Sequence, residues 1–215
     1  MEKTRKIGIY GGTFAPPHNG HVYAALSFYD RFDLDALYII PSFIPPHKQV
    51  DANDDPVIRL EMTRLAFSSH PDYGKKIFIS DVELARGGRS YTAETLAHFH
   101  RTVEGDLYFL CGTDMILSMD TWYDPAYIFK AATIVYVRRE DERALDEPIE
   151  AKIRSYRDRF GATVLPLSVE AHPLSSTDIR QRRAAGESIA SWVPEAVARY
   201  ISEHGLYRQG KEKDE

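Results

Sequence analysis

Short β-rich runs alternate with segments of helical periodicity along most of this sequence, and the alternation limits the folds open to it. The predicted strands cover residues 6–10, 36–40, 76–80, 107–111, 133–137 and 163–167. Among the predicted helices are residues 92–101, 148–159, 177–185 and 194–204. This order indicates an α/β fold, a doubly wound, mostly parallel sheet with helices on both faces. We predict a single domain over residues 1–208, a surface excursion at 138–150 and a disordered tail at 209–215.

The composition narrows the possible functions of the chain. With 43% hydrophobic and 27% charged residues it is ordinary for a globular protein. A formal net charge of −5 argues against binding to nucleic acid. Because no apolar run is long enough for a signal peptide or a membrane span, we expect a cytoplasmic protein without membrane contact. Cys111 is the only cysteine, which excludes an internal disulfide, and its apolar neighbours predict a buried, unreactive thiol.

The segment after the first predicted strand is the most informative one. Residues 11–21 read Gly-Gly-Thr-Phe-Ala-Pro-Pro-His-Asn-Gly-His. Gly11 and Gly12 are expected to let the backbone turn sharply and approach a ligand closely. His18 and His21 fall on one side of the first turn of the next helix, where N–H groups and the helix dipole favour anions. The sequence therefore predicts a phosphate site here, and a glycine-rich turn with two surface histidines is the alternative.

A second candidate element opens a predicted helix much later in the chain. Residues 174–180 read Leu-Ser-Ser-Thr-Asp-Ile-Arg. Serine and threonine at a helix start, with Asp178 in the first turn, are also typical of ordinary helix capping. Taken alone, this segment therefore leaves a capping role and a ligand-binding role open.

Taken together, the two segments resemble the two signatures of the nucleotidyltransferase superfamily that is marked by His-x-Gly-His. The resemblance implies a Rossmann-like sheet, with His18, His21 and Arg180 as catalytic residues that contact the phosphates of ATP. The implied ATP-binding residues are Gly11, Gly12, Thr13, Phe14, His18, Gly20, His21, Ser176, Thr177 and Arg180. The sequence departs from the pattern at Leu174, where isoleucine is usual, and at Ala15, where relatives often have an acidic residue.

Four further segments resemble one branch of that superfamily. They are Pro-Pro-His-Lys at 45–48, Gly-Arg-Ser-Tyr-Thr at 88–92, Cys-Gly-Thr-Asp at 111–114 and Thr-Trp-Tyr at 121–123. Together they are similar to the bacterial nicotinate mononucleotide adenylyltransferases, which make deamido-NAD from nicotinate mononucleotide and ATP. The similarity extends from about Ile7 to Tyr207. The implied mononucleotide-binding residues are Lys48, Thr92, Asp114, Trp122 and Tyr123.

The chemistry of these side chains suits the implied roles. Trp122 offers a flat face on which a pyridinium ring can stack. Thr92 and the backbone around Trp122 and Tyr123 would donate N–H groups to the pyridine carboxylate. Asp114 would accept ribose hydroxyls, and Lys48 would place a mobile charge near the acceptor phosphate. The alternatives are a core position for Trp122, a helix cap for Asp114 and a solvated loop charge for Lys48.

The reaction implied by the resemblance is in-line attack of the mononucleotide 5′-phosphate on the α-phosphorus of ATP, with pyrophosphate as the leaving group. Catalysis would consist of positioning and of stabilising charge on the phosphates. Mg²⁺ carried with ATP would keep most of its waters, so no protein residue is expected as a metal ligand. Another acceptor, such as nicotinamide mononucleotide, and a non-catalytic nucleotide sensor remain alternatives. A homo-oligomer is left open, as are the roles of His47 and Arg182.

Overall fold

Six strands and nine α-helices alternate in the residues that the computed structural model describes, which are 3–45, 55–139, 143–169 and 175–208. The strands are β1 Lys6–Gly12, β2 Ala36–Pro41, β3 Ile77–Ile79, β4 Asp106–Cys111, β5 Ala132–Arg139 and β6 Val164–Val169. The helices are α1 Asn19–Arg31, α2 Pro56–Phe67, α3 Val82–Arg86, α4 Thr92–Thr102, α5 Thr113–Ser118, α6 Pro125–Ala131, α7 Asp146–Phe160, α8 Ser176–Ala184 and α9 Glu195–Glu203. A 3₁₀ turn, Met119–Thr121, follows α5. Each predicted strand and helix is therefore present, with ends shifted by a few residues.

All strand pairs of the sheet are parallel, and their order is β3-β2-β1-β4-β5-β6. The order reverses at β1, where Ile9 is paired with Tyr38 of β2 on one side and with Phe109 of β4 on the other. The predicted doubly wound α/β fold is thus confirmed. Ligands of such sheets bind beyond the carboxyl ends of the strands at the reversal, so the loops after β1 and β4 mark the candidate site.

Side chains of the sheet alternate between two apolar cores, one on each face. Phe109 belongs to the core that also contains residues of α4, α5, α6 and α7. Its neighbour Leu110 belongs to the core that contains residues of α1, α2, α8 and α9. Because both faces are covered, the strands are apolar almost throughout. Cys111 is buried in the first core, and burial raises the pKa of its thiol, which confirms the predicted buried cysteine.

The charged stretch predicted as a surface excursion is shorter than expected. β5 continues to Arg139 and α7 begins at Asp146, and an ion pair of 2.7 Å joins Arg138 to Asp146. None of the helices in the described ranges is long and apolar enough to cross a membrane. The predicted tail at 209–215 lies outside the described residues, and the single-domain boundary stays a prediction.

Candidate active site

The loop between β1 and α1 is packed into the protein, and its turn is not made by glycine. The buried residues of this loop are Phe14, Ala15, Pro16, Pro17 and His18. The left-handed backbone position falls at Phe14, with a φ of 50°, whereas Gly11 and Gly12 are the last residues of β1. A Cβ on Gly12 would lie 2.8 Å from the Phe14 ring, but one on Gly11 would meet nothing closer than Phe109 at 4.0 Å. The prediction that these glycines form the turn is therefore wrong, because Gly12 makes room for Phe14 and Gly11 borders open space.

His18 and His21 cap the first turn of α1 reciprocally. The His21 N–H donates to His18 Nδ1 at 3.3 Å, and the His18 N–H donates to His21 Nδ1 at 3.2 Å. The two rings stack with centroids 3.6 Å apart, and Phe14 packs edge-on against His21 at 5.1 Å. Because each Nδ1 accepts a hydrogen bond, each neutral ring carries its proton on Nε2. The cap therefore fixes Nε2 as the ring nitrogen of each histidine that can donate to a ligand.

Of the first three backbone N–H groups of α1, two donate to acceptors within the described part of the protein. The Asn19 N–H donates to the Trp192 carbonyl at 3.0 Å, and the Asn19 side-chain amide donates to the Ser191 carbonyl at 3.1 Å. The His21 N–H is used in the cap. The Gly20 N–H meets no acceptor in the part of the chain that the structure describes. The anion-binding capacity predicted for this helix start is thus concentrated at Gly20.

Several polar residues of α8 have structural partners. Ser175 and Asp178 form a reciprocal cap, in which Ser175 Oγ accepts from the Asp178 N–H at 3.1 Å. Hydrogen bonds from Ser175 hold the pKa of the Asp178 carboxyl below its usual range. Arg182 pairs with Glu187 at 2.8 Å and lies 5.2 Å over the Trp192 ring. The capping role considered for this segment is therefore present, and it belongs to Ser175 and Asp178.

The remaining polar residues at the start of α8 join this helix to the loop after β1. Ser176 Oγ donates to the Pro16 carbonyl at 2.9 Å. Arg180 Nη1 donates to the Ala15 carbonyl at 2.8 Å, and Nη2 donates to Thr177 Oγ1 at 3.2 Å. The structure thus brings together the two sequence segments that are separated by about 150 residues. The Ser176 hydroxyl proton is used in this junction, whereas Thr177 Oγ1 only accepts in it. The backbone N–H groups of Ser176 and Thr177 and the Thr177 hydroxyl are therefore the donors this helix start can offer to a ligand.

Arg59 of α2 is a positioning residue that the sequence reasoning missed. It is fully buried, and it donates to the carbonyls of Thr13 at 3.0 Å, Ser42 at 2.5 Å and Phe43 at 3.0 Å. It therefore ties the loop after β1 to the loop after β2. Nothing in a single sequence distinguishes it from an exposed helix arginine, although its spacing from the buried Met62 places it toward the core-facing side of α2.

The N-terminus of α4 meets the loop that follows the 3₁₀ turn. Thr92 is the first residue of α4, and the side chain of its N-cap residue, Tyr91, makes no capping hydrogen bond. Tyr91 precedes it, and its ring centroid lies 4.7 Å from that of Tyr123, a side chain that is 57% exposed. Trp122 is half-buried, and its ring meets Phe109 edge-on at 6.5 Å. Three of the predicted mononucleotide residues therefore gather on this side of the sheet.

Asp114 lies in the first turn of α5, directly beyond the end of β4. It is exposed, and a Cβ on Gly112 would lie 2.8 Å from its Oδ1, so the carboxylate folds back over Gly112. Gly112 is the N-cap residue of α5 and Asp114 lies within the first turn, so Asp114 does not occupy the helix cap. Because β4 neighbours β1, Asp114 lies at the strand reversal. Lys48 lies outside the described residues, as do His47 and Leu174.

The fold and the two joined motifs define a class of enzyme, the nucleotidyltransferases built on a Rossmann-like sheet. The Cytidylyltransferase-like family matches residues 9–182. That match begins in β1 and ends in α8, so it contains both segments of the candidate phosphate site. The predicted nucleotidyltransferase is thus confirmed.

Curated relatives identify the branch. A protein of Geotalea uraniireducens named "Probable nicotinate-nucleotide adenylyltransferase" is 35% identical over 219 residues, which cover 96% of this chain and 100% of the relative. A protein of the same name from Neisseria meningitidis serogroup B is 34% identical, and the match covers 95% of this chain and 100% of that relative. The chain belongs to the nicotinate-nucleotide adenylyltransferase family. A solved nicotinic acid mononucleotide adenylyltransferase of Plasmodium falciparum, complexed with NaAD, shares the fold with a TM-score of 0.71 at 18% identity and covers 94% and 97% of the two chains.

Proposed function

We propose that this enzyme transfers the AMP group of ATP to nicotinate mononucleotide, which yields deamido-NAD and pyrophosphate. The observation that carries the proposal is the junction between α8 and the loop after β1. There, Ser176 and Arg180 bind the carbonyls of Pro16 and Ala15, close in sequence to the stacked histidines. The activity named for the family's curated relatives supports the choice of acceptor.

The phosphates of ATP are assigned to donors of both motifs. His18 and His21 supply Nε2–H groups, and Gly20 supplies a backbone N–H at the start of α1. The N–H groups of Ser176 and Thr177 supply the matching donors from the start of α8, with Arg180 as the positive charge. Donors fixed before ATP binds stabilise charge that develops on the departing pyrophosphate without a cost of reorganisation. His18, His21 and Arg180 are therefore the proposed catalytic residues.

The same loop would hold the rest of ATP. Gly11 borders open space at the end of β1, where backbone can approach a nucleoside closely. Thr13 is fixed through its carbonyl by Arg59, and Phe14 is 1% exposed beneath the His21 ring. These two residues thus act through the shape of the loop and the position of the histidines.

The proposal includes Mg²⁺ as an ion carried by ATP, where it neutralises charge on the phosphates. The proposed ATP site consists of hydrogen-bond donors and one guanidinium, whereas Mg²⁺ prefers oxygen ligands, which these groups do not supply. Within the described ranges, no group of three or more histidine, cysteine, aspartate or glutamate side chains is arranged to hold a metal. The donor set therefore fits an ion held by oxygens of ATP and of water.

The acceptor's carboxylate is assigned to the uncapped N-terminus of α4. The first N–H groups of a helix have no partner within it, and among the described residues the N-cap side chain of Tyr91 does not accept from them. Thr92 is the first residue of this turn. The ring of Tyr123 packs against the ring of Tyr91, which directly precedes Thr92. The backbone N–H of Trp122 donates to the Met119 carbonyl at 3.2 Å. The role assigned to Trp122 is therefore stacking of its ring on the acceptor. The helix dipole adds to the preference for a negative group at this position.

We expect a strong preference for nicotinate over nicotinamide mononucleotide. The two acceptors are nearly the same size, but the carboxylate only accepts hydrogen bonds whereas the amide nitrogen only donates. Each mismatched buried donor costs roughly 1–3 kcal/mol, so two contacts give a preference of about 10²-fold. The measurement is kcat/KM for each mononucleotide from pyrophosphate release with ATP and Mg²⁺. Equal values would reject nicotinate as the preferred acceptor and leave adenylyl transfer standing.

A further inference from the structure

Glu83 is a buried carboxylate behind the proposed acceptor site, and none of the motifs contains it. It lies in α3, just before the loop that leads to α4, and only 6% of its surface is exposed. Burial raises the pKa of this carboxyl, and hydrogen bonds from Ser90 and Thr95 oppose that rise. A buried carboxylate is retained at such a cost only where its hydrogen bonds are satisfied.

The partners of Glu83 bracket the first turn of α4. Thr95 Oγ1 donates to Glu83 Oε1 at 2.6 Å, and interaction with the Ser90 hydroxyl lowers the pKa of the same carboxyl. Arg86 Nη2 reaches Thr95 Oγ1 at 3.2 Å, and Arg86 also pairs with Glu94 at 3.3 Å. Ser90 precedes the helix and Thr95 is its fourth residue, so the two hydroxyls that interact with Glu83 lie on either side of the turn that begins at Thr92.

The same network reaches the loop after β2. Ser90 Oγ accepts from the Phe43 N–H at 2.8 Å, and the Ser90 N–H donates to the Ile44 carbonyl at 2.9 Å. Phe43 is in turn held through its carbonyl by Arg59. Glu83 therefore fixes α4 relative to a second loop on the same edge of the sheet.

We propose that Glu83 is a positioning residue that sets the preference of the enzyme for an acidic acceptor. It contacts no substrate and acts through Ser90 and Thr95, which orient the open N–H groups of the α4 start. The inference rests on the proposed function, because those N–H groups are the assigned partners of the nicotinate carboxylate. A displacement on the order of 1 Å can cost about 10²-fold in rate, so loosening this turn would weaken recognition of the carboxylate most.

The test compares two pairs of variants. Glu83→Gln keeps the size of the side chain, but its amide sets an N–H donor against hydroxyl donors. Thr95→Val removes a hydroxyl at nearly constant volume, while Thr95→Ser keeps it. Tyr29→Phe is the stability control, because it removes the hydrogen bond of 3.0 Å to Asp72. Tyr29 near the end of α1 and Asp72 before β3 lie at the amino-terminal ends of the strands, whereas Glu83 follows the carboxyl end of β3.

We expect Glu83→Gln and Thr95→Val to lower kcat/KM for nicotinate mononucleotide about tenfold or more, mainly through KM. The value for nicotinamide mononucleotide should change little, so the ratio between the two acceptors falls. The KM of ATP should stay near that of the wild type. Thr95→Ser and Tyr29→Phe should keep the ratio. Amide hydrogen exchange at Thr95, whose N–H donates to the Tyr91 carbonyl at 3.2 Å, should be faster in Glu83→Gln and Thr95→Val alone.

Three results would overturn the inference. The first is a wild-type ratio that persists in both Glu83→Gln and Thr95→Val. The second is an equal fall of the ratio in Tyr29→Phe, which would make it a consequence of stability. The third is unchanged amide exchange at Thr95. If Glu83→Gln does not fold, the comparison of Thr95→Val with Thr95→Ser tests the inference by itself. A wild-type enzyme without preference would instead reject the proposed acceptor, and the role of Glu83 with it.

Discussion

At the scale of single residues, His18 combines two roles in one side chain. Its Nδ1 caps α1 by accepting from the His21 N–H, and its Nε2–H is the donor proposed for an ATP phosphate. Histidine is uncommon as a helix cap, for which serine, threonine, asparagine and aspartate are favoured. The requirement for a second donor on the same ring explains why a histidine fits this position.

The two roles of His18 can be separated by substitution. His18→Asn keeps a good N-cap, so the midpoint of thermal unfolding should stay close to that of the wild type. The shorter side chain cannot both cap the helix and reach the phosphates, so kcat should fall by roughly 10²–10³. His18→Ala should lose stability as well as turnover. Near-normal turnover of His18→Asn would remove this histidine from the catalytic set.

Two neighbouring glycines should respond differently to the addition of one methyl group. In Gly12→Ala the new Cβ would lie 2.8 Å from Phe14, which is buried and cannot move away freely. Overpacking of this kind costs roughly 1–3 kcal/mol in the free energy of unfolding. Gly11→Ala is the matched control, because its Cβ meets only Phe109 at 4.0 Å. Urea unfolding should separate the two variants, and equal losses would contradict the packing argument.

At the scale of elements, Asp120 fastens the segment that carries Trp122 to α7. The Asp120 carboxylate accepts from Lys152 Nζ at 2.8 Å and from Arg159 Nη1 at 3.2 Å, and it lies 3.2 Å from the Tyr156 hydroxyl. Only 15% of its side chain is exposed. The hydrogen bond from Lys152 holds the pKa of the Asp120 carboxyl below its usual value. The position of Trp122 thus depends on a charged contact two residues away.

The lowered pKa of Asp120 predicts a pH-dependent contribution to stability. Above about pH 4, Asp120 is ionised in both states and the contact stabilises the folded chain. As the pH falls further, the unfolded chain takes up the proton first, so this contribution is lost. Asp120→Asn should lower the free energy of unfolding by about 1–3 kcal/mol at pH 7, and the difference from the wild type should shrink at pH 3. Asp158→Asn, which changes an exposed carboxylate of α7 that has no part in this contact, should change little at either pH. A pH-independent difference would contradict the assignment.

At the scale of the whole molecule, the proposed ATP site depends on the return of α8 to the start of α1. Arg180 and Ser176 bridge the two segments, and Asn19 binds the carbonyls of Ser191 and Trp192 from the other side. Two helix starts are thus fixed against each other by contacts that are remote in sequence. Under the proposed function, this arrangement would offer the phosphates two sets of backbone donors in a chain whose net charge is negative.

Removal of the guanidinium at this junction should affect ATP more than the acceptor. Arg180→Ala should raise the Kd of ATP about tenfold to a hundredfold, since a hydrogen bond to a charged group contributes roughly 1.5–3 kcal/mol. Arg180→Lys should recover part of the loss, because lysine keeps the charge but not the planar pair of donors. Arg182→Ala is the control, since that side chain pairs with Glu187. The measurement is titration calorimetry with each substrate. Equal losses of affinity for ATP and for the mononucleotide would contradict the assignment of Arg180 to ATP.

Much of the architecture can be predicted from local patterns. The apolar runs define the six strands, because strands buried on both faces must be apolar along their length. The alternation with helices defines the α/β class, and the resemblance of residues 11–21 and 174–180 to known signatures identifies the enzyme family. Cys111 is buried as predicted because it belongs to an apolar strand.

The sequence by itself thus determined the elements, the class of fold and the family, since these depend on periodicity and on contiguous motifs. Only the tertiary structure decided the strand order, the turn at Phe14 instead of glycine, and the use of the Ser176 hydroxyl within the protein. It also revealed the buried Arg59 and Glu83, whose local sequence resembles that of exposed helix residues. The physical reason is that a polar side chain is buried only where distant segments supply its hydrogen bonds, and those partners are fixed by the packing of the whole chain.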